Sequence, residues 1–305
     1  MSQVFGPVPS RRLGFSLGVD LVPFKTCTLD CIYCQLGRTT RKTLLRRSYM
    51  APERIMADLK EALSQGQRVD YITLSGSGEP TLHSQIGRII EQIKEITDIP
   101  VAILTNGTLF TIKRLREELA RADLAIPSLD AASQDIFERV NRPHPALHIE
   151  KIIQGLRAFR EGFTGQIWLE VMLVKGINEG AEAIESLREV IPELCCDKIQ
   201  LNTVIRPPSE NYARPLDLEG MLKVKELLGP KCEIMSRFSR RAQKAYREDL
   251  EQRILDLVAR RPVSIRDISS TLGMHENEVI KYVETLTEAG QVKAERFSGQ
   301  LYYHR

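Results

Sequence analysis

Between residues 19 and 204, short apolar runs alternate with segments of helical periodicity, and this alternation limits the fold more than any other feature of the chain. Strands that alternate with helices in this rhythm are typical of parallel βαβ units. We therefore expect an α/β fold with six strands, each followed by a helix or a loop. The expected strands are 19–23, 70–74, 101–105, 124–130, 167–174 and 198–204.

A compact group of thiols directly follows the first expected strand. Cys27, Cys31 and Cys34 have C-x3-C-x2-C spacing. Thiolates select iron–sulfur clusters, zinc or copper(I), whereas a structural zinc site normally has four protein ligands. Three thiolates on one loop can hold three corners of a cluster and leave the fourth iron without a protein ligand. The remaining cysteines are distant and irregularly spaced: Cys195, Cys196 and Cys232. Burial in the core explains them about as well as an additional cluster.

With Tyr33 before its last cysteine, the segment resembles the signature of the radical S-adenosylmethionine (radical SAM) superfamily, C-x3-C-x-aromatic-C. This resemblance covers roughly residues 15–235 and implies a partial six-fold (β/α) barrel. It implies that the three cysteines bind a 4Fe–4S cluster whose fourth iron binds S-adenosylmethionine (SAM). One electron, from a donor such as a flavodoxin or ferredoxin, would then release a 5′-deoxyadenosyl radical that abstracts a hydrogen atom.

Apart from Tyr33 in the cysteine loop and Glu170 inside the fifth expected strand, the other candidate cofactor residues lie where expected strands end, the place where barrels of parallel strands carry their chemistry. Residues 76–80 resemble the Gly-Gly-Glu motif that holds the amino group of SAM, with Ser77 replacing the second glycine. Asn106 is a candidate for ribose hydroxyls, although an Asn-Gly turn is also common. Glu170 is a candidate for a ribose diol or for a salt bridge at the edge of the core. The full set is Tyr33, Gly76, Ser77, Gly78, Glu79, Pro80, Asn106, Ser128, Asp130 and Glu170.

Two cations beyond the last two expected strands are the catalytic candidates. Lys175 and Arg206 can bind the carboxylate of SAM or a substrate phosphate, and a lysine can also form a Schiff base. Residues 5–14 and 36–37 resemble a subgroup near the wyosine-forming tRNA enzymes, which use a lysine in this way. Those enzymes carry a second cluster on earlier cysteines, and no cysteine precedes Cys27 here.

The basic segment 38–47 bears on the substrate. It carries five positive charges and no acidic residue, which fits either a solvated surface or a phosphate-bearing substrate such as RNA or a phosphorylated small molecule. The net charge of the whole chain is only +3, so no global field indicates a nucleic-acid binder. No signal peptide or membrane-spanning run is evident, and we expect a cytoplasmic protein without a membrane partner.

A second, smaller domain is expected after the barrel. We divide the chain into a barrel with an N-terminal arm (1–235), a basic linker (236–249) and a domain of three helices and a hairpin that turns at Ser298–Gly299 (250–305). This last domain resembles a winged helix-turn-helix. Its third helix has four glutamates against one lysine, which opposes phosphate binding and favours contact with a protein or docking of a substrate over DNA binding.

These observations lead to three functional hypotheses. The first is a radical SAM enzyme that acts on RNA or a phosphorylated small molecule. The second is a radical SAM enzyme that modifies a protein or peptide docked by the C-terminal domain. The third is a non-enzymatic iron–sulfur sensor that binds DNA, in which residues 76–80 would have no purpose.

Overall fold

The structure is a computed structural model, and it describes residues 2–10, 12–235, 248–260, 262–297 and 300–305. The strands are β1 (Val4–Ser10), β2 (Gly14–Val19), β3 (Thr26–Cys27), β4 (Arg41–Lys42), β5 (Tyr71–Leu74), β6 (Val101–Thr105), β7 (Leu124–Pro127), β8 (Gln166–Leu173), β9 (Lys198–Thr203), β10 (Cys232–Ile234), β11 (Lys293–Phe297) and β12 (Gln300–His304). The helices are α1 (Pro52–Ser64), α2 (Ile86–Ile96), α3 (Lys113–Leu119), α4 (Gln134–Asn141), α5 (Ile149–Gly162), α6 (Ala181–Val190), α7 (Leu218–Leu228), α8 (Glu248–Arg260), α9 (Ile265–Leu272) and α10 (Glu276–Glu288).

One eight-stranded sheet organises the N-terminal part of the chain, in the order β1-β2-β5-β6-β7-β8-β9-β10. Strand β1 pairs antiparallel with β2, and every later neighbour pairs in parallel. Helices α1 to α7 connect these parallel strands. Strands covered on both faces read as near-continuous apolar runs, as Val101-Ala102-Ile103 does in β6. The structure confirms the expected α/β class with a parallel sheet.

Several elements differ from the sequence-based expectation at the ends of the sheet. Strand β2 ends at Val19, where the first strand was expected to begin. Strands β1 and β10 were not predicted. Prolines in β1 hide its strand character, because proline is confined to edge strands, and β10 has only three residues. Helices α4 and α7 were also missed, whereas α6 has the predicted bounds.

The helices cover the sheet with apolar faces. In α2, the buried residues Ile86, Ile89, Ile90 and Ile93 repeat at helical spacing and join the main core. Burying an isoleucine side chain contributes about 1.5–3 kcal/mol. None of the helices within the described ranges is long and apolar enough to cross a membrane.

The C-terminal region has a core of its own, formed by α8, α9, α10 and the hairpin β11–β12. Ser264 caps α9 in a capping box with Asp267, as its position before an apolar run predicts. The hairpin turn predicted at Ser298–Gly299 lies outside the described residues, as do 236–247 of the predicted linker. The resemblance to a winged helix and the domain boundaries stay predictions.

Helix α10 packs against the barrel. The ring of His275, its N-cap residue, stacks on Phe5 of β1 with centroids 4.7 Å apart. Glu284 forms a salt bridge of 2.6 Å with Arg206, which follows β9. The helix therefore spans from the β1 edge of the sheet to the loop after β9, and it forms one wall of the cavity described below.

Candidate active site

A cavity of about 380 Å³ lies where the parallel strands end. Its walls include Cys27, Cys31 and Cys34, together with residues from the ends of strands β5 to β9. Asn277 and Lys281 of α10 complete the lining. The three thiols that sequence spacing singled out therefore share one cavity with most of the other candidates.

Each of the three sulfur atoms accepts a hydrogen bond from a different part of the chain. The contacts are Lys25 Nζ to Cys34 (3.2 Å), Asn106 Nδ2 to Cys27 (3.5 Å) and Asn141 Nδ2 to Cys31 (3.4 Å). Hydrogen bonds to ligating sulfur are one of the means by which proteins tune iron–sulfur centres. The donor set fits three thiolates bound to a cluster.

In the absence of metal, the surroundings of two of the three thiols favour the protonated form. Burial, followed by the nearby charge of Glu79, raises the pKa of Cys27 to about 12. Burial, followed by Asp130, also raises the pKa of Cys31. Burial by itself would lower the pKa of Lys25, but the charges of Cys34, Cys27 and Cys31 and the hydrogen bond to Cys34 together outweigh it, and the net shift is upward. Cys27 and Cys31 therefore hold their protons near neutral pH until a metal replaces them.

The site has no arrangement suited to a lone metal ion. Across the described ranges, no three His, Cys, Asp or Glu side chains come together as a single ion would require. A 4Fe–4S cluster makes a different demand, because each cysteine binds a separate iron.

A glycine lets the 76–80 turn approach the cysteine loop. A Cβ atom on Gly78 would lie 1.9 Å from the carbonyl oxygen of Thr26, the residue before Cys27. The backbone N–H of Glu79 donates to that same oxygen at 3.0 Å. Any side chain at position 78 would therefore push the turn away from the thiols.

Glu79 is buried, and hydrogen bonds orient its carboxylate. Oε1 accepts from the backbone and hydroxyl of Thr81 and from Thr105, while Oε2 accepts from the backbone N–H of Asn106 at 2.8 Å. Burial raises the pKa of Glu79 despite these bonds. A carboxylate oxygen accepts about two hydrogen bonds, so Oε2 retains capacity for an ammonium group.

Ser77 has a different task from the one its position in the motif predicts. Its hydroxyl donates to Asp20, and its backbone N–H donates to the same oxygen at 3.1 Å. His275 Nδ1 accepts from the N–H of Asn277, which leaves the proton on Nε2, 3.4 Å from Asp20 Oδ2. Ser77 therefore anchors the turn from behind and does not face the cavity.

The structure brings together most of the remaining candidates. Those that line the cavity are Tyr33, Gly76, Gly78, Glu79, Asn106, Ser128, Glu170 and Arg206. Pro80 is buried in a short 3-10 turn beside it. Lys175 is not among the lining residues, because its side chain is 59% exposed and pairs with Asp217 at 3.7 Å. That position argues against a catalytic role for Lys175.

Two polar candidates are already engaged with the protein. The Asn106 amide donates to Thr28 Oγ1 at 2.8 Å and accepts from Thr108, so it braces the cysteine loop and is not free for ribose. Glu170 pairs with Arg12 at 3.0 Å and accepts from Asn202 at 2.6 Å. The salt-bridge alternative for Glu170 is therefore the one that the structure contains.

Asp130 lies behind the cavity wall. It accepts hydrogen bonds from the Tyr33 hydroxyl (2.5 Å), the Asn141 amide (2.7 Å) and the backbone N–H of Met172 (2.9 Å). Burial raises its pKa to about 6, and these hydrogen bonds oppose the rise. Asp130 thus positions Tyr33 and the donor to Cys31, and we assign it no direct contact with a cofactor.

Sequence reasoning missed several residues of the site. Lys25 stands two positions before Cys27, and a cation so near a thiol motif was a usable signal. Asn141 and Asn202 gave none, because each reaches the site from a distant element. Asn277 and Lys281 required knowledge of where α10 packs.

The basic segment 38–47 is largely engaged in contacts within the protein. Arg38 pairs with Glu210, and Arg46 pairs with Glu118 at 2.5 Å. Lys42 donates to two backbone carbonyls, and the guanidinium groups of Arg41 and Arg47 lie over the ring of Tyr49. This segment gives weaker support for a phosphate-binding surface than its charge count suggested.

Comparison with known proteins identifies the class. The sequence matches the Radical SAM superfamily over residues 21–190. A radical SAM methyltransferase from Sphaerobacter thermophilus is similar in structure, with 20% identity and a TM-score of 0.54 over 75% of this chain and 68% of that one. Streptococcus suis SuiB bound to the precursor peptide SuiA has 16% identity and a TM-score of 0.55, over 79% and 57% of the two chains. These two likenesses show the fold alone.

The chain belongs to the radical SAM superfamily and is an enzyme that uses a 4Fe–4S cluster and SAM. More specifically, it is a member of the UPF0026 family: it is 34% identical to the UPF0026 protein of Methanocaldococcus jannaschii over 99% of this chain and 96% of that protein. A Brachyspira hyodysenteriae protein named GTPase Obg is 38% identical over 99% of this chain, which spans 45% of that protein's length.

Proposed function

We propose that Cys27, Cys31 and Cys34 hold the cluster and that this enzyme cleaves SAM reductively to act on a small polar substrate inside the cavity. One observation carries the proposal: the three thiols line a single cavity with Gly76, Gly78 and Glu79, and each sulfur receives its own hydrogen-bond donor. When bound and reduced by an external one-electron donor, the cluster would supply the electron that cleaves the S–C5′ bond of SAM to methionine and a 5′-deoxyadenosyl radical, which would take a hydrogen atom from the substrate.

The chain's own residues have distinct tasks in this proposal. Lys25, Asn106 and Asn141 stabilise sulfur as thiolate by hydrogen bonding. Oε2 of Glu79 accepts from the ammonium group of SAM, and Gly78 allows the turn to lie close to the cysteine loop. Residues of β1 and α10 also line the cavity and would shield part of it from water.

The position of α10 along one side of the cavity favours a small substrate over RNA or a folded protein. The helix occupies the space between β1 and the loop after β9, where a large substrate would otherwise enter. The paired cations of segment 38–47 also argue against an RNA surface there. A flavodoxin or ferredoxin as electron donor stays a prediction, as does the kinship with wyosine-forming enzymes.

The ligand assignment is tested by replacing one thiol. The full chain is purified without oxygen, reconstituted with iron and sulfide, and given dithionite and SAM, and 5′-deoxyadenosine is measured by mass spectrometry. We expect the wild type to form it and Cys31→Ala to lose at least a hundredfold of that rate, because a cluster with two protein ligands is not held. Iron content should fall with it.

Cys195→Ala is the matched control, because this thiol is exposed and lies outside the cavity. It should retain both iron and SAM cleavage. Persistence of 5′-deoxyadenosine formation in Cys31→Ala, or its loss in Cys195→Ala, contradicts the ligand assignment.

A further inference from the structure

Three buried polar atoms on the cavity wall have no hydrogen-bond partner among the described residues. They are Oδ1 of Asn202, Nε of Arg206 and Nδ2 of Asn277. Asn202 is only 2% exposed and Asn277 only 8%. Because buried polar groups are nearly always hydrogen-bonded, three such atoms around one cavity indicate a ligand that supplies the partners.

The three atoms belong to the wall that β9 and α10 build. Asn202 is on β9, Arg206 follows that strand, and Asn277 is in the first turn of α10. Asn277, Lys281 and Glu284 are four and three positions apart, which places them on one face of the helix. That face is fixed toward the barrel by the salt bridge between Glu284 and Arg206.

The chemistry of these atoms specifies what they bind. Asn202 donates its Nδ2 to the Glu170 carboxylate, which can only accept when ionised, so its unpartnered Oδ1 is oriented as an acceptor. Arg206 Nε–H and the Asn277 amide are donors, and the Lys281 ammonium group lines the same cavity. A set of donors with two cations matches the oxygens of a carboxylate or phosphate.

We propose that α10 and the end of β9 form the substrate subsite, and that it takes a small molecule carrying an oxyanion group and a hydrogen-bond donor. The oxyanion binds Asn277, Arg206 and Lys281, and the donor binds Asn202. The role of this subsite in the reaction rests on the proposed function, whereas its ability to bind an oxyanion is argued from the contacts of its own residues. In this proposal the C-terminal domain is part of the active site and is not a separate nucleic-acid-binding domain.

Binding is tested directly with simple oxyanions. The full chain is titrated with inorganic phosphate and, separately, with acetate by calorimetry at constant ionic strength. Asn277→Asp replaces the donor with a like charge, and an acidic residue near a helix N-terminus keeps the helix stable. We expect Asn277→Asp to weaken binding at least tenfold, whereas Gln291→Glu, which adds the same charge at an exposed position of the domain, changes it less than twofold.

A second measurement follows the substrate hydrogen. Reconstituted enzyme is given SAM, dithionite and the low-molecular-mass fraction of cells grown in deuterium oxide. We expect deuterium in 5′-deoxyadenosine with the wild type and with Gln291→Glu, and a tenfold lower deuterium fraction in the 5′-deoxyadenosine that Asn277→Asp forms. The RNA and protein fractions should transfer no deuterium.

The outcomes separate this proposal from the preceding one. The subsite proposal is overturned if the wild type binds neither phosphate nor acetate, or if all variants bind them equally. Deuterium transfer from the RNA or protein fraction also overturns it. A wild type that forms no 5′-deoxyadenosine but binds phosphate in an Asn277-dependent manner overturns the proposed reaction and supports the subsite.

Discussion

The cysteine-side wall of the cavity and the wall formed by β9 and α10 differ in how many of their polar atoms are hydrogen-bonded within the protein. On the cysteine side, the sulfur atoms, the Glu79 carboxylate and the Asn106 amide all have hydrogen-bond partners from the chain. On the side of β9 and α10, Asn202, Arg206 and Asn277 each retain a buried atom with no partner within the described part of the protein.

This difference indicates that the cysteine-side wall is preorganised for a cofactor, whereas the wall of β9 and α10 recognises the substrate. A site that holds a resident cofactor needs its ligands locked in place before the cofactor arrives, and side chains hydrogen-bonded to the chain provide that rigidity. A site that turns over substrate leaves polar atoms to be satisfied by each incoming molecule. Following this logic, substitutions on the first wall should damage the fold, whereas those on the second should damage binding.

The largest effect is expected from Gly78→Ala on the cysteine side. The new methyl group would lie 1.9 Å from the Thr26 carbonyl oxygen, so the turn must move away from the cysteine loop. We expect at least a hundredfold loss of 5′-deoxyadenosine formation and about 3 kcal/mol lower stability. Product analysis and urea denaturation measure the two effects.

Gly162→Ala is the matched control, since nothing lies within 4 Å of the added Cβ atom at that position. It should change stability by no more than about 1 kcal/mol. If Gly78→Ala behaves like this control, the cysteine-side wall is not rigid.

A pair of asparagines gives the most direct comparison of the walls. Asn106→Ala removes hydrogen bonds to Thr28 and Thr108 and should lower the free energy of unfolding by about 3 kcal/mol. Asn277→Ala removes an amide nitrogen that has no partner in the described structure, and it should change stability by no more than about 0.5 kcal/mol. Urea denaturation of the cluster-free chains measures both, and equal losses would show that the walls do not differ.

A smaller effect is expected from His275→Ala, where the two walls meet. The substitution removes the stack on Phe5 and the cap on the N–H of Asn277, and it leaves Asp20 with its Ser77 contacts. We expect a loss of about 1–2 kcal/mol and faster hydrogen exchange in α10, with exchange in the 76–80 turn unchanged. Faster exchange in the turn as well would show that His275 also holds the cysteine-side wall.

The fold was predictable where a local pattern repeats. Alternating apolar strands and amphipathic helices predicted the parallel sheet, because each βα unit buries its own stripe of apolar residues. The edge strands were hidden, since β1 contains prolines and β10 has only three residues. Helix α7 also escaped, because most of its leucines face outward and leave no clear apolar stripe.

The site was predictable only in part. The spacing of residues along the chain was enough to predict the two contiguous motifs, namely the three cysteines and the turn at 76–80. The roles of Ser77, Asn106 and Glu170 were not recoverable, because each depends on a partner from a distant segment: Asp20, Thr28 and Arg12.

By itself the amino-acid sequence determined three features: three thiol ligands on one loop, a glycine-rich turn and a series of βα units. Spacing along the chain is enough for these features, because their residues are neighbours. Only the tertiary structure decided which nitrogen contacts each sulfur and that α10 forms a cavity wall. Those relations join segments that are far apart in the sequence: Asn141 lies 110 residues after Cys31, and His275 lies at the opposite end of the chain from Phe5. Packing of the whole chain sets these contacts.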